Sequence, residues 1–265
     1  MDELAKYNQE RWSALVEAGI EFSKPFEGFD RQIALEYLDH WAEIKRLGMT
    51  DFSGQNVLCL ASGGGQQSVC FSLLGGKVTV LDLTPGQLAG DEAMAESYGY
   101  KVETEEGDMR DLSRFDDHVF DLVYQAYSIN FVPDPLPVLR EVSRVLRPNG
   151  LYYLQYGNPL WNMEETDWTE KGYPIRQSYI QGQQSTPEDL PWDVWQEDGT
   201  ISKVVGPKEF THTLSTLVNG LGENGMFIFA MHEGPQGDPT AKPGSWEHLK
   251  TYLPLWPAFW SRKIS

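Results

Sequence analysis

The stretch at residues 56–75, NVLCLASGGGQQSVCFSLLG, decides how the rest of the chain is interpreted. Its apolar residues 57–61 predict a buried strand, Ser62 and three glycines predict a turn, and residues 66–74 show helical spacing. A strand that ends in a glycine-rich turn and opens a helix forms ligand sites in doubly wound sheets, because the turn admits a ligand to unpaired helix amides. Three consecutive glycines also occur in ordinary loops, so this stretch alone leaves both interpretations open.

The next predicted strand, KVTVLDL at 77–83, carries an acid where a nucleoside ligand would need one. Asp82 follows Gly63 by nineteen positions. A carboxylate at the end of this strand accepts two hydrogen bonds from the hydroxyl pair of a ribose. The combination suits both a dinucleotide and S-adenosylmethionine. A dinucleotide site favours G-x-G-x-x-G around the pyrophosphate, whereas here Ala61, Gly63 and Gly65 alternate.

Composition restricts the partners. The 265 residues suffice for one large domain, or for a domain with a cap. Lys and Arg total 21 against 39 Asp and Glu, and the formal net charge is -18. Nucleic acids and anionic membranes are bound through basic side chains, so we expect neither as a partner. A simpler interpretation is that the charge keeps a cytoplasmic protein dissolved.

Cysteine usage and the N-terminal segment predict a cytoplasmic protein without a resident metal. Cys59 and Cys70 fall in the predicted first strand and first helix, without the spacing of a zinc site or a disulfide framework. The first residues, MDELAKYNQERW, lack the apolar core of a signal peptide. No apolar run reaches the length of about 18 residues that a membrane span requires.

Strands and helices alternate through most of the chain, and the pattern predicts an α/β fold with a doubly wound, seven-stranded, mostly parallel sheet whose last strand is antiparallel. Strands are predicted at 57–61, 77–83, 100–104, 119–125, 151–156, 226–232 and 256–264, and helices at 2–18, 30–47, 66–74, 86–98, 135–146, 207–224 and 246–252.

Three parts are expected. Residues 1–50 form a helical cap, 51–157 and 207–265 form the core, and 158–206 form an aromatic-rich insertion that we predict to be a substrate lid. The cap helices either only pack on the core or, through Tyr7 and Trp12, help to cover a cofactor.

Four sequence blocks taken together resemble the seven-stranded, Rossmann-like (class I) S-adenosylmethionine-dependent methyltransferases. The blocks are VLCLASGGG, LDLTPGQL, GDMRDL and FDLVYQAYSINFVPDPLPVLREVSRVLRPNGLYYLQ, and the resemblance covers residues 52–157. It implies S-adenosyl-L-methionine as the cofactor, S-adenosylhomocysteine as the product, and no metal.

The resemblance also implies roles for individual residues. Asp82 would hold the ribose hydroxyls, Leu83 would pack on the adenine, and Asp108 would accept the adenine amino group. The cofactor-binding set that it implies is Ala61, Ser62, Gly63, Gly65, Gln66, Asp82, Leu83, Gln87, Asp108, Met109, Gln125 and Ala126.

Two residues depart from the family pattern. Cys59 stands where the family often has an acid, and Ala61 stands where it usually has a glycine. Because the acid would anchor the amino group of the cofactor indirectly, we expect a neighbouring side chain, such as Gln66 or Gln67, to compensate.

The predicted reaction is methyl transfer to an oxygen or nitrogen of a small metabolite, in a monomer or a homodimer. A general base is needed only if the acceptor is protonated, and the candidate catalytic residues are His212 and Asn130. His212 is also a candidate structural residue, as lone histidines often are. The candidate substrate-binding residues are Tyr127, Asn130, Tyr156, Trp161 and His212.

Two other functions remain open at this point. One is a nicotinamide-dependent oxidoreductase, against which the spacing of the glycine turn and the GDMRDL block argue. The other is a cofactor-binding protein without transferase activity, or a methyltransferase that acts on a protein partner. No Asn-Pro-Pro-Tyr motif follows the fourth predicted strand, which argues against methylation of nucleic acid bases.

Overall fold

A seven-stranded sheet with the strand order β3-β2-β1-β4-β5-β9-β8 forms the centre of the molecule. The computed structural model describes residues 1–160, 167–234 and 236–264. Its strands are β1 Asn56–Leu60, β2 Lys77–Asp82, β3 Val102–Glu106, β4 Phe120–Gln125, β5 Leu146–Gln155, β6 Pro191–Trp195, β7 Ile201–Val205, β8 Met226–His232 and β9 Ala258–Lys263. Strands β6 and β7 form a separate antiparallel pair.

The pairing confirms the predicted sheet. Strands β3, β2, β1, β4 and β5 run parallel, and β9 lies antiparallel between β5 and β8. The inner strands β1, β2 and β4 are buried almost throughout, which is why they read as continuous apolar runs rather than alternating ones. Leu58 and Leu60 belong to the hydrophobic core on one face of the sheet, and Val57 and Cys59 to the core on the other.

Seven α-helices accompany the strands in the described part of the chain. They are α1 Glu3–Ala18, α2 Arg31–Ala42, α3 Gln67–Leu73, α4 Pro85–Tyr98, α5 Leu136–Val145, α6 Leu214–Glu223 and α7 Trp246–Leu249. Helix α1 begins at a side-chain cap, because Asp2 accepts a hydrogen bond of 2.9 Å from the backbone amide of Ala5. Glu43, with a φ of 50°, ends α2 earlier than the sequence pattern suggested.

Some predicted boundaries are wrong. A helix was expected over 207–224, but α6 begins at Leu214, after Thr213 caps it by accepting from the amide of Thr216. Residues 207–213 instead hydrogen-bond to other segments; the amide of Phe210, for example, donates to the carbonyl of Asn130 at 2.7 Å. Strand β5 begins at Leu146, five residues before the start at 151 that the sequence predicts.

The insertion contains the hairpin β6–β7, and this hairpin packs on α1. Val194 of β6 is fully buried in a small cluster with Leu15 of α1 and Ile20. Trp192 meets Trp12 of α1 edge to face at 5.6 Å between ring centroids. The first helix and the insertion therefore form one wall over the sheet, although about 180 residues separate them in the chain.

Candidate active site

A cavity of about 680 Å³ opens at the carboxyl ends of the parallel strands, where open α/β sheets bind their ligands. Its floor comes from the turns after β1, β2, β3 and β4, and its roof from α1 and the hairpin β6–β7. Its size lies in the range of small-molecule and cofactor sites. One cavity thus joins the glycine turn to the insertion.

The glycine turn is held in a shape that leaves no room for larger residues. A Cβ atom on Gly63 would come within 2.6 Å of the Gln87 Cβ and 3.1 Å of the Asp82 Cγ. Gly64 has a φ of 108°, a conformation that glycine adopts without strain. Ala61 also has a positive φ, of 48°, a conformation that glycine adopts with less strain than alanine.

The Asp82 carboxylate joins the turn after β1 to the turn after β2. Its oxygens accept hydrogen bonds from the amide of Gly63 at 3.0 Å and from the amide of Thr84 at 2.9 Å. Burial raises the pKa of Asp82, and these backbone hydrogen bonds oppose the increase. Each carboxylate oxygen can accept a second hydrogen bond, so the group that shapes the turn can also accept from a ligand diol.

A second buried acid, Asp91 of α4, supports the turn from behind. It accepts from the amide of Gly64 at 3.0 Å and makes a short hydrogen bond with the hydroxyl of Ser68. Burial raises its pKa from the ordinary 3.8 to about 7. Gln66, one of the two residues expected to compensate for the missing acid at Cys59, instead donates to backbone carbonyls of the segment that follows α1.

The floor after β3 is closed by an ion-pair network. Arg110 donates to both oxygens of Asp108 and, at 2.8 and 3.0 Å, to both oxygens of Asp2 at the start of α1. These contacts raise the pKa of Arg110 and lower that of Asp2 to about 2, with the Arg110 hydrogen bond as the main cause for Asp2. The network ties the first helix to the cavity.

Three buried polar atoms in residues of the cavity wall have no hydrogen-bond partner among the described residues. They are Thr84 Oγ1, Gln87 Oε1 and Gln155 Nε2. Buried polar atoms normally have partners, so a ligand with complementary groups is expected beside them. Thr84 Oγ1 and Gln87 Oε1 can accept hydrogen bonds next to Asp82, and Gln155 Nε2 can donate one at the end of β5. This arrangement fits a ligand that combines a nucleoside with an amino acid.

The other end of the cavity holds a hydrogen-bonded pair. The Tyr127 hydroxyl donates to Glu209 Oε2 at 2.7 Å. Burial is the main cause that raises the pKa of Glu209 to about 7, and it also raises the pKa of Tyr127. Asn130, which accepts from the amide of Gly157 at 3.2 Å, lies against the same hydroxyl. Tyr127 has a φ of 62°, so the turn that presents it is strained.

Aromatic rings form much of the wall around this pair. Phe131 meets Trp12 edge to face at 5.5 Å and Tyr127 at 6.0 Å between ring centroids. The aromatic residues that line the cavity are Trp12, Phe22, Tyr37, Trp41, Tyr124, Tyr127, Phe131, Trp192, Phe210 and Trp256.

Most of the predicted site residues lie together on the cavity wall. They are Ala61, Ser62, Gly63, Gln66, Asp82, Leu83, Gln87, Asp108, Met109, Ala126, Tyr127 and Asn130. Gly65 lies behind the turn, where a Cβ atom would meet the carbonyl of Gly90 and the side chain of Met94 at 2.8 Å. Gln125 is fully buried and bonds to the hydroxyls of Tyr152 and Ser128.

Two of the predicted substrate residues, His212 and Tyr156, are not on this wall. His212 is 1% exposed; its Nε2 donates to the carbonyl of Ile129 at 2.9 Å, and its Nδ1 accepts from Gln181 at 3.0 Å. Both ring nitrogens are therefore engaged inside the protein, and the geometry gives the catalytic role no support. Tyr156 stacks on Phe259 in the core, because it faces the side of β5 opposite to Gln155. Trp161 lies outside the described residues.

Sequence reasoning missed Glu209, Gln155, Arg110 and Asp91. Gln155 and Arg110 each adjoin a residue or motif that was recognised, and their positions at strand ends were a usable signal. Glu209 and Asp91 gave no such signal. Each comes from a segment remote in sequence, and only the tertiary structure brings Glu209 to the cavity wall and places Asp91 behind the glycine turn.

The comparisons with known proteins agree with this geometry. A family model described as a methyltransferase domain matches residues 58–154. A Bacillus subtilis protein named Uncharacterized methyltransferase YbaJ is 31% identical over 249 residues, which cover 89% of this chain and 93% of that protein. A ubiquinone biosynthesis O-methyltransferase of Xanthomonas oryzae pv. oryzae is 33% identical over 109 residues, 39% of this chain and 44% of that protein.

Solved structures share the fold. An S-adenosylmethionine-dependent methyltransferase from Mesorhizobium loti superposes with a TM-score of 0.57 and 19% identity, over 82% of this chain and 94% of that chain. One from Clostridium acetobutylicum gives a TM-score of 0.58 and 13% identity, over 96% of both chains.

Other site types find no support. Within residues 1–160, 167–234 and 236–264, no group of three or more His, Cys, Asp or Glu is suited to a metal ion. No helix in the described part of the chain has the length and apolar character needed to cross a bilayer. With the fold, the cavity and a full-length relative in agreement, the chain belongs to the class I S-adenosylmethionine-dependent methyltransferases.

Proposed function

We propose that this methyltransferase acts on an oxygen or nitrogen atom of a small molecule. The observation that carries the proposal is the shape of the cavity, which runs from Asp82 to Glu209 under a roof made by α1 and the hairpin β6–β7. A covered cavity with aromatic walls suits a compact, largely apolar acceptor. A protein substrate would need an open groove in which a side chain could reach the cofactor.

The residues of the floor would hold the cofactor. Asp82 would accept from the ribose hydroxyls, Leu83 and Met109 would contact the adenine, and Ala61 to Gly63 would pass under the methionine part. The bound cofactor supplies an activated methyl group, so the protein has mainly to align the acceptor and exclude water.

The named relatives give further support. The Xanthomonas protein is an O-methyltransferase of ubiquinone biosynthesis, and a relative from Hahella chejuensis, 34% identical over 113 residues, is a ubiquinone and menaquinone biosynthesis C-methyltransferase. Both names refer to the biosynthesis of quinones, but the matched segments cover 44% and 45% of those proteins. They therefore support the acceptor class more than the acceptor atom.

The test is incubation of the purified protein with methyl-labelled S-adenosylmethionine and a metabolite extract freed of macromolecules. We expect the label in one or a few low-mass compounds, each heavier by one methyl group in place of a hydrogen. A parallel incubation with the protein fraction of the same cells is the control. Label found only in that fraction would refute the proposal in favour of a protein acceptor.

A further inference from the structure

We propose that Glu209 is the general base that takes the proton from the methyl acceptor, and that the acceptor is a neutral aromatic compound with a hydroxyl group. The inference rests on the proposed function and specifies its chemistry. Its basis is the position of Glu209, which lines the cavity and whose carboxylate bonds to Tyr127 in the turn after β4.

The carboxylate of Glu209 is fixed but not saturated. Oε2 accepts from the Tyr127 hydroxyl at 2.7 Å, and no other donor to this carboxylate occurs in the part of the chain that the structure describes. The backbone on both sides is also held, since the amide of Glu209 donates to the Thr186 hydroxyl at 3.2 Å and its carbonyl accepts from Ser185 at 2.8 Å. Oε1 therefore remains available as an acceptor, on a side chain with a restricted position.

The charges around the cavity favour a neutral acceptor. Its wall carries the acids Asp82, Asp108 and Glu209, and its basic group Arg110 is already paired with Asp108 and Asp2. An anionic acceptor would find no free cation there among the described residues. A planar ring could pack against Trp12 and Phe131 while its hydroxyl reaches the carboxylate.

The proposed step balances without another reactant. As the bond from the methyl carbon to the acceptor oxygen forms, the bond from that carbon to the cofactor sulfur breaks, and its electron pair stays on sulfur. The hydroxyl proton passes to Glu209, which later releases it to water. Tyr127 is a positioning residue, because it holds the base by donating to the oxygen that the acceptor does not use.

Other groups that could titrate near Glu209 are accounted for. Lys208 is paired with Glu188 at 3.2 Å, and His212 has both ring nitrogens bonded within the protein. The segment at 184–186 and helix α1 contribute the uncharged Thr186 and Asn8 to this region. Across the cavity stand Asp82, Asp108 and Arg110. A pH dependence that disappears in a Glu209 variant can therefore be assigned to Glu209.

The first measurement is binding, with 2-naphthol as a fluorescent probe and S-adenosylhomocysteine present. In the wild type, affinity should increase about fivefold between about pH 6 and about pH 8, because an ionised carboxylate accepts a stronger hydrogen bond than a protonated one. In Glu209→Gln the affinity should not change over this range. The exposed Glu188→Gln is the matched control and should behave like the wild type.

The second measurement is turnover of 2-naphthol with S-adenosylmethionine. Glu209→Gln should lower kcat about 100-fold or more, with the affinity for S-adenosylhomocysteine unchanged. Tyr127→Phe should move the acidic limb of the pH profile to higher pH, because the Tyr127 hydrogen bond lowers the pKa of Glu209.

Each other result contradicts the proposal. Equal turnover in the wild type and Glu209→Gln would show that Glu209 is not the base. If the wild type methylates a compound of the metabolite extract but not 2-naphthol, the aromatic hydroxyl is the wrong acceptor class, although the proposed function stands. If no low-mass compound is methylated at all, the proposed function itself fails.

Discussion

Gly63 lies between the carboxylate of Asp82 and the side chain of Gln87, with no room for a methyl group on either side. We expect Gly63→Ala to move one of these side chains and to weaken the binding of S-adenosylhomocysteine at least about tenfold, a loss of about 1.4 kcal/mol. Isothermal titration calorimetry measures the change.

A matched glycine provides the control for this substitution. Gly222 lies exposed in α6, and a Cβ atom there would have no neighbour within 4 Å. Gly222→Ala should therefore leave affinity unchanged and increase the free energy of unfolding by about 0.5–1 kcal/mol. If Gly63→Ala binds as tightly as Gly222→Ala, the turn is more adaptable than its contacts indicate.

Asp91 makes the stability of the fold depend on pH. Its pKa in the folded protein, about 7, lies above the ordinary 3.8, so between these values the folded state keeps a proton that the unfolded state has lost. The contribution of Asp91 to stability therefore decreases as pH rises from about 4 to about 7, and it remains low above that range.

Asp91→Asn tests this sign. The amide can still accept from Gly64 and bond to Ser68, but it cannot ionise. We expect the unfolding free energy of the variant, relative to the wild type, to be higher at about pH 8 than at about pH 5. Urea denaturation at both values measures the difference, with the exposed Asp116→Asn as control. An equal difference at both pH values would contradict the assignment.

Individual residues also show which parts of the site the sequence can predict and which it cannot. Asp82 was predictable because a short motif fixes its distance from the glycine turn. Glu209 and Asp91 were not, because their importance comes from burial and from partners 82 and 27 positions away. His212 was a candidate base by its residue type and its place after the insertion, but both of its ring nitrogens bond within the protein, which the sequence pattern does not reveal.

At the level of elements, the hairpin β6–β7 depends on one face of β6. Trp192 faces Trp12 and the cavity, whereas Trp195, three residues further on, is 63% exposed. We expect Trp192→Ala to loosen the hairpin and to speed tryptic cleavage after Lys203 in β7, because local opening exposes the backbone. Trp195→Ala should leave the cleavage rate close to that of the wild type. Equal rates in both variants would show that the hairpin does not depend on this contact.

The strands were easier to predict than the segments that cover them. Strand β8 has the predicted bounds, β2 and β4 differ from the prediction by one residue at one end, and β1 is shifted by one residue. The apolar pattern of 207–224 suggested one helix, yet its first seven residues extend along the cavity and bond to the neighbouring turns. Local periodicity contains no information about such tertiary hydrogen bonds.

For the whole molecule, ligand binding and stability are linked. At about a hundred times its dissociation constant, S-adenosylhomocysteine should add about 2.7 kcal/mol to the unfolding free energy. This corresponds to an increase in Tm of about 5–10 °C for a chain of this size. A thermal melt measures the increase, which should be absent in Asp82→Ala at the same concentration. NAD⁺ at the same concentration should give no such increase.

The fold as a whole followed from the order of strands and helices, because short right-handed connections leave few arrangements for such a chain. The antiparallel direction of β9 confirms the prediction for the last strand, whereas the place of β9 between β5 and β8 was not predicted. The sequence pattern did not predict the contact between the insertion and α1. It arises from two apolar surfaces, each too small to be recognised alone.

The place of β9 in the sheet has a consequence during protein synthesis. Strand β5 ends at Gln155 and its neighbour β9 begins at Ala258, so a ribosome must add about a hundred residues before that side of β5 is paired. At usual elongation rates the wait lasts on the order of ten seconds. Throughout that time the nascent chain presents an unprotected strand to other nascent chains, and β8 cannot cover it, because β8 pairs only with β9 in the described sheet.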